Sequence, residues 1–199
     1  MIAAPVRWGG FFVSGEQVMH DFRPIDEMGR RIVVMGPTNS GKSTLAVALG
    51  NKLGIPALHI DLFRHLPNTD WEQRPDGAFA DLHDAAIAGP EWVMEGNYTK
   101  LLPQRLARAT SIIVVDDHLW RRYWRYLRRT LGQVPRAGAL EGGKDSIKWD
   151  MIHWLWHTRN AARASEHRAL QSGLPYLFLR DQEELQALYQ AWDLTLPSF

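Results

Sequence analysis

The sequence predicts an α/β protein, a parallel sheet with helices on both faces, and three observations carry that prediction. Short apolar runs alternate with longer helical stretches along the chain, the mark of repeated strand–helix–strand units. The first run, 32–35, leads directly into Gly36-Pro37-Thr38-Asn39-Ser40-Gly41-Lys42-Ser43-Thr44. Acidic residues close three of the runs, at Asp61, Glu95 and Asp116. Ligands of such sheets collect at the C-terminal strand ends.

The segment from Gly36 to Thr44 fits G-x-x-x-x-G-K-[ST]. The strand before it and the helical spacing of Leu45, Ala46, Leu49 and Leu53 after it supply the context this motif needs. Glycines let the backbone curl until several N–H groups point at one anion, and the helix dipole adds to the attraction. Lys42 is expected on the β- and γ-phosphates, and the Ser43 hydroxyl on Mg²⁺. The motif implies binding of a nucleoside triphosphate, with ATP and Mg²⁺ as the expected ligands.

The remaining elements follow in order. Gly54-Ile55-Pro56 turns the chain into a short strand, 57–60, ending at Asp61. Residues 62–76 read as irregular, and 77–88 as a helix with Phe79, Leu82 and Ala86 inward. A strand at 92–94 ends in Glu95-Gly96-Asn97-Tyr98, and a short helix covers 101–108. A fourth strand, 111–115, ends at Asp116-Asp117, and an arginine-studded helix spans 119–131. Residues 132–146 hold four glycines and a proline and read as a loop. One long helix is expected over 147–171, then a strand at 176–179 and a helix at 182–192. Residues 1–30 read as an arm without an assigned role, ahead of a single domain over 31–199.

Composition narrows the class. The chain has 199 residues, 45% hydrophobic and 23% charged, enough for one domain with a substantial core. No apolar run reaches the roughly 20 residues of a membrane span. The absence of cysteine excludes disulfides and cysteine-clamped zinc. With no secretory pattern at the N-terminus, the expected location is cytoplasmic. The net charge of +1 hides a block over 100–170 with fourteen basic and six acidic side chains. Most of these cations are arginines, whose planar fork matches phosphate oxygens. No Asn-Lys-x-Asp element for guanine is present and no second nucleotide motif, so a small kinase is the class that remains.

At this point the residues resemble a family. The phosphate loop, Leu58-His59-Ile60-Asp61, Trp71 with Arg74-Pro75, Glu95-Gly96-Asn97-Tyr98 and the Trp120/Trp124/Arg125 helix look like the adenylate kinase-related group often labelled DNA topology modulation proteins. Two departures stand out: Glu95 where that group usually has aspartate, and His118 where it usually has proline. The resemblance implies a P-loop three-layer fold with sheet order 2-3-1-4-5. It also implies an arginine-bearing lid over about 129–150 and an acceptor-side insert over about 62–92. Arg125 and Arg129, one turn apart on one helix face, match triphosphate-contacting arginines at the lid base. Arg163, with Arg159 a turn before it, matches a basic position near the phosphates; Arg136 lies inside the loop.

Phosphoryl transfer needs positioning and charge neutralisation. Lys42, Arg125, Arg129 and Asp61 are the expected catalytic set, and Glu95 is expected to hold Mg²⁺ through water with Ser43. Asp61, Arg64, Arg74, Glu95, Gly96, Asn97 and Tyr98 are the expected acceptor side. A hydroxyl acceptor would use Asp61 as base or orienting carboxylate. A nucleoside monophosphate, favoured by the resemblance, would use Arg64 and Arg74. A nucleic-acid-associated regulatory role is the alternative, with tryptophans stacking on bases. The helical spacing of Trp120 with Trp124, and of Trp149, His153 and Trp156, reads instead as core face. His153 and His157 lack a third metal ligand.

Overall fold

The computed structural model describes residues 11–14, 17–20, 22–69, 71–132 and 149–198. Residues 133–148, which hold Arg136 and most of the expected lid, lie outside the described residues. So do Asp70, the first ten residues of the expected arm, and the side chain of Arg129. An antiparallel hairpin, β1 (Phe11–Ser14) with β2 (Gln17–His20), precedes the main body.

The central sheet has five parallel strands. They are β3 (Arg31–Met35), β4 (Ala57–His59), β5 (Trp92–Glu95), β6 (Ser111–Val115) and β7 (Tyr176–Leu179). Their order is β4-β5-β3-β6-β7, which is 2-3-1-4-5 counted within the sheet. The expected fold class and strand order are both present. Register pairs Val34 with Glu95 and Met35 with Val114, so the strand that feeds the phosphate loop is flanked by both acid-terminated neighbours.

Alternation within β3 builds two cores. Ile32 and Val34 join Leu45 and Leu49 of α1 (Lys42–Leu53) and Leu185 and Leu188 of α8 (Gln182–Ala191) on one face. Val33 and Met35 join Phe79 and Ile87 of α3 (Asp76–Ala88), Leu102 of α4 (Leu102–Arg108) and Ala169 of α7 (Ala161–Ser172) on the other. Side chains buried on both faces explain why these strands read as continuous apolar runs. Met28 is buried in the first core, and Trp192 Nε1 donates to Arg23 O at 2.9 Å, so residues ahead of β3 pack on it. Asp181 caps α8 by accepting from the Glu183 and Glu184 amides at 2.8 and 3.0 Å.

Four expectations are corrected. The strand expected over 57–60 ends at His59, because Ile60–Arg64 forms a short helix, α2, that carries Asp61 in its first turn. In α3 the inward stripe is Phe79, His83 and Ile87, at i, i+4 and i+8, while Leu82 is 41% exposed. The long helix expected over 147–171 is two, α6 (Trp149–His157) and α7. The break falls at 158–160: the Thr158 amide still donates to Trp154 O at 2.9 Å, but the Arg159 and Ala161 amides donate to carbonyls three residues back, at 3.2 and 3.1 Å.

The tryptophans do not form a core face. Trp120 and Trp124 are 64% and 61% exposed on α5 (Leu119–Gly132), and Trp149 and Trp156 are 76% and 53% exposed on α6. The buried stripe of α5 is Arg122, Tyr126 and Thr130, again at i, i+4 and i+8. That stripe lies on a different side of the helix from Trp120 and Trp124.

Candidate active site

The phosphate loop bridges β3 and α1, and its first glycine is required by sterics. Gly36 has φ +138, and a Cβ there would stand 2.0 Å from the Val115 carbonyl of β6. Asn39 follows with φ +63 and Gly41 with φ +103, the turn of the backbone that brings α1 to its N-terminus at Lys42. Lys42 Nζ donates to Pro37 O at 2.8 Å across the loop. Burial lowers the Lys42 pKa; the charges of Glu95 and Asp61 oppose that, and Arg122 adds to it. Ser40 is buried with its Oγ unpartnered, and Thr44 is half-buried at the start of α1.

Glu95 closes β5 beside this loop. Its Oε1 accepts from Ser43 Oγ at 3.0 Å and lies 2.9 Å from His59 Nδ1. Burial opposes its ionisation, but the His59 hydrogen bond and the Lys42 charge hold the carboxyl below its usual range. A serine hydroxyl and a carboxylate oxygen at one point form a hard-oxygen pair that fits Mg²⁺. Among the described residues no cluster of three His, Cys, Asp or Glu forms, so phosphate oxygens and water would complete the shell of such an ion.

Residues 96–98 connect this centre to Asp61. The Asn97 amide makes two hydrogen bonds to Gly36, accepting from its N–H at 3.1 Å and donating to its carbonyl at 2.9 Å. Tyr98 Oη donates to Asp61 Oδ1 at 2.8 Å. Beside Tyr98 a cavity of about 620 Å³ opens, lined by Arg64, Gln73, Asp76, Phe79 and Lys100. Arg64 donates to Asp76 Oδ1 and Gln73 Oε1, both at 2.6 Å, and to Arg74 O at 3.1 Å. Arg74 Nε donates to Phe63 O at 3.0 Å.

The expected site residues are thus divided. Lys42, Ser43, Glu95, Asn97, Tyr98 and Asp61 come together around one centre. Arg125 instead pairs with Asp117 and donates to Gln182 Oε1 at 2.9 Å. Arg163 is exposed on α7, where its charge acts on Asp116. Burial pushes the Asp116 carboxyl up to about 6, against the pull of Arg122, His118 and Arg163.

Four neighbours of the site were given no role in the sequence. His59 sits two residues before Asp61, and a lone histidine in a strand carries no signal. Arg105 and Arg122 are fully buried, although arginine ordinarily reads as surface. Arg122 Nε donates to Thr38 O at 2.8 Å, and its guanidinium reaches Thr158 Oγ1 at 3.2 Å. The i, i+4, i+8 stripe with Tyr126 and Thr130 was the signal that could have found it. Trp154 Nε1 donates to Thr38 Oγ1 at 3.2 Å, setting α6 against the phosphate loop.

No helix among the described residues is long and apolar enough to cross a membrane. No family model and no curated protein matches this sequence. Among solved structures, shikimate kinase from Bacteroides thetaiotaomicron is similar, with 18% identity over 83% of this chain and 99% of that one and a TM-score of 0.45. At that distance the likeness carries no inference about what this chain binds.

Proposed function

We propose that the protein is a Mg²⁺-dependent ATP phosphotransferase acting on a small acceptor. The observation that carries this reading is the pairing of Ser43 with Glu95 beside Lys42, with Asp61 near enough for its charge to act on Lys42. A donor cradle and an acceptor-side carboxylate then flank one point, the arrangement that in-line transfer requires. Bound Mg²⁺ would neutralise charge on the phosphates from the Ser43 and Glu95 side. Lys42 binds the transferring phosphoryl group, and Arg122 and Asn97 keep the loop beneath it in shape.

The geometry favours a hydroxyl acceptor. Asp61 can accept a hydrogen bond from an incoming hydroxyl as it does from Tyr98, and the adjoining cavity has room for a small molecule. A nucleoside monophosphate would need Arg64 to leave Asp76 and Gln73. The test is ADP formation from Mg·ATP against nucleoside monophosphates, shikimate, gluconate and nucleosides, with Lys42→Ala as control. Stimulation by a hydroxyl acceptor supports the reading. Stimulation by monophosphates alone replaces it with the adenylate kinase-like one, and a flat panel removes the kinase.

One observation favours a second reading, a nucleic-acid-associated regulator. Arg121 lies over the exposed Trp120 ring at 5.3 Å, and Arg159 over Trp156 at 4.6 Å. Exposed indoles with guanidinium neighbours can stack on bases of single strands. Salt-sensitive DNA binding that Trp120→Ala weakens would support it.

A further inference from the structure

We propose that Tyr98 is the positioning residue of the acceptor site, aiming the Asp61 carboxylate while Arg105 and Asn97 hold it in register with the phosphate loop. The inference rests on the reading of Asp61 as the carboxylate that orients the acceptor.

Arg105 is 0% exposed, and its guanidinium gathers three successive carbonyls: Gly96 at 2.8 Å, Asn97 at 2.6 Å and Tyr98 at 2.9 Å. Burial lowers its pKa to about 10, with the Glu95 charge opposing. A buried cation is normally matched to a carboxylate. Here its hydrogen bonds go to the backbone of one tripeptide, so the interaction fixes loop shape. That shape is otherwise unfavourable at Tyr98, which has φ +20, and it needs glycine at position 96, where φ is +127. A Cβ at Gly96 would also stand 3.1 Å from Ile60 Cβ, beside Asp61. Such backbone persists only where the surroundings over-determine it.

The two ends of the tripeptide reach different halves of the site. Asn97 is tied to Gly36 at the first turn of the phosphate loop, and Tyr98 to Asp61. The Tyr98 ring packs edge-on against Phe79, with centroids 5.3 Å apart, which fixes the hydroxyl's direction. Burial, then the Asp61 charge, raises the Tyr98 pKa, so the hydroxyl remains a donor. Asp61 therefore receives its orientation from a group anchored to the nucleotide side.

Tyr98→Phe removes the hydroxyl and keeps the contact with Phe79. With Mg·ATP alone and water as acceptor, its kcat for ADP release is expected to fall about tenfold. The KM for ATP and the Mg·ADP Kd are expected to stay within about twofold. Arg105→Lys, whose compact ammonium lacks the planar fork that divides these contacts between two nitrogens, is expected to show the same split. Tyr98→Phe at wild-type turnover, with Asp61→Asn impaired, overturns the proposal and leaves the reading of Asp61 standing. Intact turnover in Asp61→Asn overturns both. Loss of nucleotide affinity together with turnover in Tyr98→Phe assigns the tyrosine to structure and overturns the proposal. Wild-type kinetics in Arg105→Lys removes the anchor.

Discussion

Arg122 of α5 donates from Nε to the Thr38 carbonyl at 2.8 Å while fully buried. A cation sealed beneath the phosphate loop attracts anions without competing for water. It also makes the position of α5 depend on the loop, because the same guanidinium holds Thr158 after α6.

Arg122→Met keeps much of the buried volume and removes both links. Mg·ATP affinity is expected to fall about tenfold by titration calorimetry, the scale of one charged hydrogen bond. Affinity within about twofold of wild type would show that the Thr38 contact has no part in binding.

Gly36→Ala places a methyl group against backbone, 2.0 Å from Val115 O, at a φ of +138. The strand and the loop cannot both keep their places. The expected outcome is destabilisation of about 3 kcal/mol or more in urea melts, with nucleotide binding lost.

Lys42→Ala removes the cradle's ammonium and leaves α1 intact, since alanine is the best helix former. ADP formation is expected to fall by about 100-fold or more, with the melting temperature little changed. A coupled assay at saturating Mg·ATP checks this.

Asp116 supplies a pH prediction. Its folded pKa is about 6 against a reference of 3.8, with burial the main cause. A carboxyl raised by folding contributes stability when protonated, and that contribution is lost as pH rises from about 4 to 6. Asp116→Asn is expected to be more stable than wild type by about 1–2 kcal/mol at pH 7.5, after solvent screening. The difference is expected to vanish near pH 4, and urea melts at both pH values measure it.

The exposed tryptophans give a stability test. Trp120→Ser with Trp124→Ser is expected to change unfolding free energy by less than about 1 kcal/mol, the range of surface substitutions. A loss of about 3–5 kcal/mol per site, the core value, would mean that the rings are packed.

What was legible in the sequence had a local cause. The phosphate loop is short, its glycines answer to backbone sterics, and the flanking run and helix are contiguous with it. Glu95 and Asp61 were expected near the phosphate loop because each lies where an apolar run ends, and the structure sets Glu95 on β5 and Asp61 in the first turn of α2. Long-range causes stayed hidden. Arg105 is buried over carbonyls 7 to 9 residues away and Arg122 against one 84 residues away, while arginine's chemistry alone suggests the surface. Trp120 and Trp124 show helical spacing, but spacing identifies a shared face and does not say which way it points. The break at 158–160 is a local change to hydrogen bonds three residues back, which the periodic side-chain pattern does not announce.

Lys42 Nζ is held on the Pro37 carbonyl, 2.8 Å away within its own loop. The ammonium is therefore aimed before any phosphate arrives, and capture exchanges one oxygen partner for another. A lysine roaming in solvent would surrender most of its rotamer entropy on binding, whereas this one has little left to lose. Affinity then depends on how well the incoming oxygen outcompetes an amide carbonyl, a contest that charge decides. Neutral or weakly charged mimics gain nothing from the exchange, so the loop discriminates for anionic charge before it recognises any nucleoside.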